Sequence, residues 1–216
     1  MKKDIFIFDL DGTITESKEG VKNSLIFALR ELGRPVPDSN NWREIMGPPL
    51  RDIFTQFLGF DEDNVAAAIE KYREYYGVKG MFECEVYAGM DEILRGLHGS
   101  GKTVILATSK AVYYAEKVLA HFGLDRYFTY ISGTELEGRI STKAEIIERG
   151  LKNVGASDLS RAVMIGDRKY DILGANDVDI DSIGVLFGYG SRQELSAAGA
   201  TYIAATTGDL REMVAL

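Results

Sequence analysis

The chain has 216 residues, of which 45% are hydrophobic and 27% charged, with a formal net charge of −8. This length suits one core of ordinary size with an insertion, or two small domains. The net negative charge argues against a nucleic-acid backbone or an anionic membrane surface as a partner. A single cysteine, Cys84, allows no internal disulfide and favours a reducing compartment.

No apolar stretch approaches the length needed to cross a bilayer. Lys2 and Lys3 precede an apolar run, but Asp9 and Asp11 end that run too soon for a signal peptide. We therefore expect a cytoplasmic protein, monomeric or weakly dimeric, with no membrane and no nucleic acid as partner.

The first predicted element is a strand over residues 5–8, a run of apolar side chains typical of a parallel sheet covered by helices. It leads into Asp9, Asp11, Gly12 and Thr13. Since residues i and i+2 of a strand point the same way, the two carboxylates are expected to converge beyond its carboxyl end. Such anions repel unless a cation or a proton lies between them. The structural alternative is a plain acidic turn. A buried strand that leads directly into two carboxylates, a glycine and a threonine favours a functional site instead.

Helical periodicity follows the first strand. Apolar residues recur at helical spacing over residues 21–32, 53–58 and 65–76, and glycines and prolines separate these stretches. We find no convincing strand between about residues 16 and 82. This segment, residues 16–82, is called the helical insertion below.

From Gly89 onward, helices and strands alternate. Further strands are predicted over residues 103–107, 128–131, 162–165 and 182–186, and capping boxes over Thr142–Glu145 and Ser191–Glu194. The alternation predicts the α/β class, with a doubly wound, Rossmann-like parallel sheet and right-handed crossovers. Residues 1–15 and 83–216 would form this core.

Ligands in such sheets bind beyond the carboxyl ends of the strands. Thr108, Ser109 and Lys110 follow the second predicted strand, and Asp167 and Asp171 follow the fourth. Oxygen ligands from carboxylates suit a hard divalent cation such as Mg²⁺.

Lys143 opens a predicted helix, where the helix dipole slightly disfavours a cation, so its position calls for another explanation. Structural alternatives remain open for several of these residues. Thr108 could cap a helix, Lys110 and Lys143 could be surface charges, and Asp171 could be a partner of a helix dipole.

These motifs resemble those of the haloacid dehalogenase-like phosphohydrolases in order and spacing. The resemblance rests on residues 8–13, 107–110, 143 and 166–171. The helical insertion is similar to the C1-type cap of that superfamily. Gly47-Pro48-Pro49-Leu50 and Gly188-Tyr189-Gly190 resemble its phosphoglycolate phosphatase and bacterial 5′-nucleotidase-like branch.

The resemblance implies a Mg²⁺-dependent phosphatase for a small-molecule phosphate monoester, such as phosphoglycolate or a 5′-nucleotide. Asp9 would attack phosphorus and form an aspartyl-phosphate. Asp11 would protonate the leaving alkoxide and then deprotonate the attacking water. Asp9, the Asp11 carbonyl and Asp167 would hold Mg²⁺. Asp171 would orient the groups that surround the ion, or would reach the ion through a water molecule.

The resemblance also implies a phosphate site. Thr108 and the Ser109 backbone would bind phosphoryl oxygens, and Lys143 would pair with the nucleophile and the phosphoryl charge. Gly12, Thr13 and Lys110 are the other expected substrate-binding residues near the phosphate.

Substrate choice is expected to lie in the helical insertion, because the core motifs recognise a phosphoryl group and nothing beyond it. The stiff turn Gly47-Pro48-Pro49 could present Arg51 to the leaving group. The alternative is that Arg51 is a solvated residue in the first turn of the next helix.

Other protein classes share parts of this pattern. A response-regulator receiver carries its phosphorylated Asp after the third strand and has no helical insertion, and a dehalogenase would not need Asp11. A sugar-phosphate mutase shares every motif and stays open as an alternative. A non-catalytic binding or regulatory protein would be expected to lack a catalytic group, and none is missing.

Overall fold

The computed structural model describes residues 2–37, 42–136 and 141–214. Its strands are β1 (Ile5–Phe8), β2 (Thr15–Glu16), β3 (Glu85–Val86), β4 (Thr103–Ala111), β5 (Tyr130–Thr134), β6 (Ala162–Gly166), β7 (Asp181–Val185) and β8 (Tyr202–Ala204). Six of them form one sheet in the order β5-β4-β1-β6-β7-β8, with parallel pairing throughout. The predicted doubly wound α/β core is confirmed.

The first nine helices lie between these strands in the chain, and the tenth follows β8. They are α1 (Lys18–Glu31), α2 (Trp42–Ile45), α3 (Leu50–Asp52), α4 (Glu62–Tyr76), α5 (Met90–Gly99), α6 (Val112–His121), α7 (Lys143–Asn153), α8 (Lys169–Asp177), α9 (Arg192–Ala197) and α10 (Thr207–Met213). No helix in the described ranges is long and apolar enough to span a membrane.

Alternate side chains of the central strands enter two separate apolar clusters. Phe6 and Phe8 of β1 pack into one cluster, and Ile7 packs into the other. The second cluster includes Ile146 of α7 and Ala175 of α8. Since both faces of the sheet are covered, its strands are apolar throughout, as the first strand predicted.

The register of the sheet decides which residues meet at its carboxyl edge. Phe8 of β1 is level with Leu106 of β4 on one side and with Ile165 of β6 on the other. The polar residues at the carboxyl ends of these three strands therefore lie beside one another, around Asp9.

The helical insertion leaves and rejoins the core at a short antiparallel ribbon, in which Thr15 of β2 pairs with Val86 of β3. Between the two strands of this ribbon, the described residues form α1 to α4, a π-helical turn over Ile53–Phe57 and a 3₁₀ turn over Gly80–Phe82. No strand occurs among the described residues of this stretch, as its periodicity predicted. Its buried apolar side chains continue the same cluster that contains Phe8.

Several local predictions were wrong in detail. The strand predicted over 128–131 lies at Tyr130–Thr134, and β8 was not predicted because its three residues are too few for a clear pattern. The capping box at Thr142 is confirmed. At Ser191 the hydroxyl caps α9, but the Glu194 carboxylate accepts from Arg168 Nε at 2.8 Å instead of completing the box.

Candidate active site

Three carboxylates converge where β1 and β6 end. Asp9, Asp167 and Asp171 each offer a carboxylate oxygen, and these oxygens lie within 4.8 Å of one another. Asp171 is in the first turn of α8, where its Oδ2 accepts from the backbone N–H of Arg168 at 3.1 Å. The sheet register and the start of α8 together bring this acidic cluster into one buried place.

Lys143 is the cation of this cluster. Its Nζ lies 3.0 Å from Asp9 Oδ1 and 2.8 Å from Asp171 Oδ1, and it also donates to the carbonyl of Ala107 at 3.1 Å. Lys143 is 9% exposed. The surface-charge alternative for this residue is therefore wrong, and its place at the start of α7 is explained by its carboxylate partners.

The pKa values of the cluster reflect burial and repulsion. Burial raises the pKa of Asp9 to about 6; the Lys143 charge opposes this shift, and the charges of Asp171 and Asp11 reinforce it. Burial also raises the pKa of Asp167 well above its ordinary value, and Asp171 and Asp9 add to the effect. Burial disfavours the charged form of Lys143, but Asp171 and Asp9 outweigh that and raise its pKa. The carboxylates outnumber the ammonium, so the cluster favours a further cation.

The two carboxylate oxygens of Asp167 differ in their surroundings. Its Oδ2 accepts from the backbone N–H of Tyr189 at 2.7 Å, which fixes the carboxylate. Its Oδ1 is buried and has no hydrogen-bond partner in the described part of the chain. A buried oxygen without a partner is costly, and carboxylate oxygens are the ligands that Mg²⁺ prefers. The acidic cluster therefore fits Mg²⁺.

The Gly188-Tyr189-Gly190 loop wraps Asp167 closely. A Cβ on Gly188 would lie 2.2 Å from the Gly12 carbonyl oxygen, and one on Gly190 would lie 2.0 Å from the Asp167 carbonyl oxygen. The Tyr189 hydroxyl accepts from the backbone N–H of Ser17, just before α1, at 2.8 Å. The glycines thus allow one loop to hold both Asp167 and the start of the helical insertion.

Gly12 and Thr13 are in the turn that follows β1, directly after Asp11. Gly12 has a φ of +84° and donates from its N–H to the Thr15 carbonyl at 2.7 Å. Thr13 is fully buried, and its hydroxyl has no hydrogen-bond partner among the residues described. Neither residue is among those that line the cleft described next.

A cleft of about 290 Å³ separates the carboxyl edge of the sheet from the helical insertion. Its polar side, called the cleft floor below, consists of Asp9, Asp11, Thr108, Ser109 and Lys110. The predicted nucleophile and acid/base therefore meet the predicted phosphate-binding residues, which are among the last residues of β4, in one cavity.

Lys110 connects the floor to the insertion. Its Nζ lies 2.7 Å from Asp11 Oδ1 and 5.3 Å from the centroid of the Tyr76 ring. Thr108 Oγ1 accepts from the backbone N–H of Lys110 at 3.2 Å, and the residue that precedes α6 is Ala111. The helix-cap alternative for Thr108 and the surface-charge alternative for Lys110 are both wrong.

The opposite side of the cleft is apolar. It is formed by side chains of the helical insertion, and we call it the apolar wall: Val21, Ile45, Met46, Leu50, Ile53 and Ile69. The cleft lining also includes Gly47, Pro48 and Pro49. The turn that the sequence predicted to present Arg51 therefore lies at the cleft.

Arg51 reaches the cleft lining, but its guanidinium forms an ion pair with Glu62 at the start of α4. The Arg51 side chain is 43% exposed. The structure thus places Arg51 at the mouth of the cleft with its charge already paired. Its contribution to leaving-group binding stays a prediction.

Sequence reasoning missed Arg73. Ile69, Tyr72, Arg73 and Tyr76 line the cleft from one face of α4, at positions i, i+3, i+4 and i+7. Arg73 Nη2 donates to the Leu136 carbonyl at 2.6 Å, and Arg73 has no carboxylate within ion-pair distance in the described ranges. The signal was available, because an arginine interrupts an otherwise apolar helical stripe.

Comparison with known proteins identifies the family. The model of the haloacid dehalogenase-like hydrolase family matches residues 6–185. The chain is 40% identical over 208 residues to the 5′-nucleotidase of Pseudomonas aeruginosa, covering 96% of this chain and 94% of that protein. It is 34% identical over 210 residues to tyrosine-protein kinase PtkA of Mycobacterium tuberculosis, covering 96% and 71%. Relatives named phosphoglycolate phosphatase match at 27–28% identity.

Solved structures agree with this assignment. A crystal structure described as a predicted phosphatase from Clostridium acetobutylicum superposes with a TM-score of 0.93 at 38% identity, covering 99% of both chains. The family model spans most of the chain, and the relatives cover nearly all of it. The chain therefore belongs to the haloacid dehalogenase-like hydrolase family, as its motifs predicted.

Proposed function

We propose that the chain is a Mg²⁺-dependent phosphatase that hydrolyses a small-molecule phosphate monoester through an aspartyl-phosphate on Asp9. The observation that carries the proposal is the cleft floor. Asp9 and Asp11 open into one cavity together with Thr108, Ser109 and Lys110. A nucleophile, an acid/base and phosphate-binding groups are thus within reach of one bound phosphoryl group.

Asp9 is the proposed nucleophile. Lys143 holds its carboxylate at 3.0 Å, which fixes the direction of the attacking oxygen and lowers the repulsion between that oxygen and a phosphate dianion. Attack splits one slow displacement into two easier steps. Asp11 is two residues further on and lines the same cleft. It is the proposed donor of a proton to the leaving oxygen and then the acceptor of a proton from water.

Thr108, the Ser109 backbone and Lys110 are proposed to bind phosphoryl oxygens at the cleft floor. Lys143 neutralises part of the charge from below. Gly12 and Thr13, which the sequence predicted to bind substrate, do not line the cleft, and they are proposed instead to shape the backbone next to the phosphate site.

Mg²⁺ is proposed to be held by Asp9, the backbone carbonyl of Asp11 and Asp167, with Asp171 next to them. The buried Oδ1 of Asp167 and the excess of carboxylates over cations support this site. When bound, the ion would offset phosphoryl charge and polarise the phosphorus–oxygen bonds.

The helical insertion, residues 16–82, is proposed to act as a cap over a core of residues 1–15 and 83–216. The short β2–β3 ribbon at its base is a natural hinge. Contacts of Arg73 with Leu136 and of Lys110 with Tyr76 hold the insertion over the cleft. Closure would exclude water and bring the apolar wall against the leaving group.

Phosphate release from a panel of monoesters tests the proposal. The panel contains p-nitrophenyl phosphate, phosphoglycolate and 5′-nucleotides, each with Mg²⁺ and with excess chelator. We expect hydrolysis that a chelator abolishes and that added Mg²⁺ restores. Full activity in excess chelator contradicts the metal, and no phosphate release from any ester contradicts the phosphatase. A mutase would isomerise its ester without releasing phosphate.

A further inference from the structure

The Gly47-Pro48-Pro49 turn belongs to the helical insertion, and all three of its residues line the cleft. Gly47 has a φ of +108°, a conformation that other residues rarely adopt. The two prolines restrict their own φ angles and have no backbone N–H. The turn is therefore a stiff part of the cleft lining, and its position depends on what it packs against.

The side chain of Arg168, which belongs to the core, packs against this turn. A Cβ on Gly47 would lie 2.8 Å from Arg168 Cγ and 3.1 Å from Arg168 Nη1. The glycine therefore admits the arginine side chain close to the backbone of the turn. This contact between core and insertion is separate from those made by Arg73 and Lys110.

Arg168 is firmly held on the core side. It directly follows Asp167, and its backbone N–H donates to Asp171 Oδ2 at 3.1 Å. Its Nε donates to Glu194 Oε1 of α9 at 2.8 Å, and its side chain is 11% exposed. Because the acidic cluster fixes its backbone and α9 fixes its guanidinium, Arg168 offers the turn a rigid support.

One donor of this guanidinium is unused. Arg168 Nη1 is buried and has no hydrogen-bond partner among the residues that the structure describes. A buried donor without an acceptor costs free energy, which points to an acceptor in another state of the protein. The turn is rich in acceptors, because its three residues have three carbonyls and one N–H. Each carbonyl has two lone pairs, so the carbonyl of Gly47 or Pro48 can accept from Nη1.

We propose that Arg168 is the positioning residue that holds the Gly47-Pro48-Pro49 turn over the cleft, and that its Nη1 donates to a carbonyl of the turn when the insertion closes on a bound phosphoryl group. The closure step rests on the proposed phosphatase function, whereas the packing against Gly47 does not. Arg168 is not among the residues that line the cleft, so it acts through the turn. The closed turn excludes water from the phosphate site.

The first test needs no ligand and measures hydrogen exchange in peptides that cover residues 45–53. Arg168→Ala removes the stem that packs against Gly47, so exchange should become faster by about 4- to 15-fold, as expected for the loss of one or two buried methylenes. Lys169→Ala is the matched control, because Lys169 is the next residue, is exposed and does not line the cleft. It should exchange as the wild type does. Equal exchange in Arg168→Ala and the wild type overturns the proposal.

The second test measures the hydrogen bond that forms on closure. Orthovanadate with Mg²⁺ serves as a stable substitute for the phosphoryl group, and in the wild type it should slow exchange of the same peptides by about 10- to 100-fold. Arg168→Met keeps a stem without donors and should lose most of this protection. Arg168→Lys keeps a cation with three donors and should retain part of it. Equal protection of the wild type and Arg168→Met overturns the proposed hydrogen bond.

Two further measurements separate the role of the turn from that of the acidic cluster and from the proposed function. Arg168→Met should keep the Mg²⁺-dependent rise in melting temperature. Loss of that rise would mean that Arg168 acts through the metal site, which overturns the proposal. If the wild type does not hydrolyse p-nitrophenyl phosphate, the proposed phosphatase is wrong, and faster exchange in Arg168→Ala would still support the contact with the turn.

If p-nitrophenyl phosphate is hydrolysed but Arg168→Ala exchanges as the wild type does, the inference about the turn alone is wrong. If Arg168→Ala does not fold, Glu194→Gln takes its place, because it weakens the attachment of the guanidinium to α9. This variant should also speed exchange over residues 45–53, and unchanged exchange overturns the proposal.

Discussion

The two sides of the cleft are built in different ways. On the cleft floor and in the acidic cluster that shares Asp9 with it, charged groups are paired: Lys143 lies within 3.0 Å of two carboxylates, and Lys110 lies 2.7 Å from Asp11. On the apolar wall, side chains pack without polar partners, and the charges beside it come from Arg51 and Arg73.

The difference between the two sides separates chemistry from specificity. The floor residues lie at or just beyond the carboxyl ends of β1 and β4, so the sheet register brings them to one place. The wall and its two arginines belong to a helical insertion that contacts the floor at a few points. We therefore expect floor substitutions to alter turnover on every ester, and wall substitutions to alter the choice between esters.

The largest effect should come from Asp9 on the floor. Asp9→Asn keeps the shape of the side chain but removes the nucleophilic charge, so turnover should fall by about four orders of magnitude or more on every ester. Steady-state assays with p-nitrophenyl phosphate measure this loss. Asp177→Asn, an exposed substitution near the end of α8, is the control and should retain activity. A folded Asp9→Asn protein with a tenth of wild-type turnover would mean that the floor does not work as proposed.

The next prediction tests whether Asp167 binds the proposed Mg²⁺. Added Mg²⁺ should raise the melting temperature of the wild type, because an ion bound to the folded state stabilises it. Asp167→Asn should lose most of this rise. Without Mg²⁺ the variant should melt no lower than the wild type, since it relieves repulsion among three buried carboxylates. Thermal melts across a Mg²⁺ titration check both points; an equal Mg²⁺-dependent rise in both proteins contradicts the site.

Gly188 tests the loop that supports the floor. A Cβ there would lie 2.2 Å from the Gly12 carbonyl oxygen and 2.4 Å from Asp167 Cβ, so Gly188→Ala must displace the loop. We expect a loss of about 1–3 kcal/mol in the free energy of unfolding, measured by chemical denaturation. Gly99→Ala, where an added Cβ meets nothing within 4 Å, is the matched control and should not be destabilised. If the two variants were equally stable, the loop would accommodate a Cβ at position 188 without strain, contrary to this prediction.

The smallest effect should come from Arg51 at the mouth of the cleft. Its guanidinium already pairs with Glu62 and is partly exposed, and such pairs contribute ~0–1 kcal/mol. Arg51→Ala should therefore change KM for the best substrate by less than about threefold. A selective rise of tenfold or more, with p-nitrophenyl phosphate little affected, would restore the role that the sequence predicted for this residue.

What the sequence could predict follows the same division. Asp9, Asp11, Thr108 and Asp167 were located because each directly follows an apolar strand, and parallel strands bring such positions to one edge. This reasoning needs local patterns and a fold class but no side-chain packing. It therefore located the floor residues and most of the strands along the chain.

Positions that depend on packing between distant segments were not recovered. Arg73 faces the cleft because α4 packs with Tyr72 and Tyr76 on the same side, and its partner Leu136 is 63 residues away in the chain. Glu194 has a sequence pattern that predicts a helix cap, yet a nearby Arg168 competes for its carboxylate. A single sequence does not show whether a side chain will bond to its neighbour in the chain or to a residue from a distant segment, such as Arg168, 26 residues away.

The central claim is that a covalent aspartyl-phosphate forms on Asp9, and trapping it is the most direct test. Asp11→Asn removes the proposed base for the second step, and p-nitrophenyl phosphate needs little acid assistance in the first. Rapid quenching of this variant should show a burst of p-nitrophenol of up to one equivalent per chain. Borohydride reduction and peptide mass spectrometry should then find the modified residue at position 9. Modification of another residue, or steady turnover without any phosphorylated protein, would contradict the account.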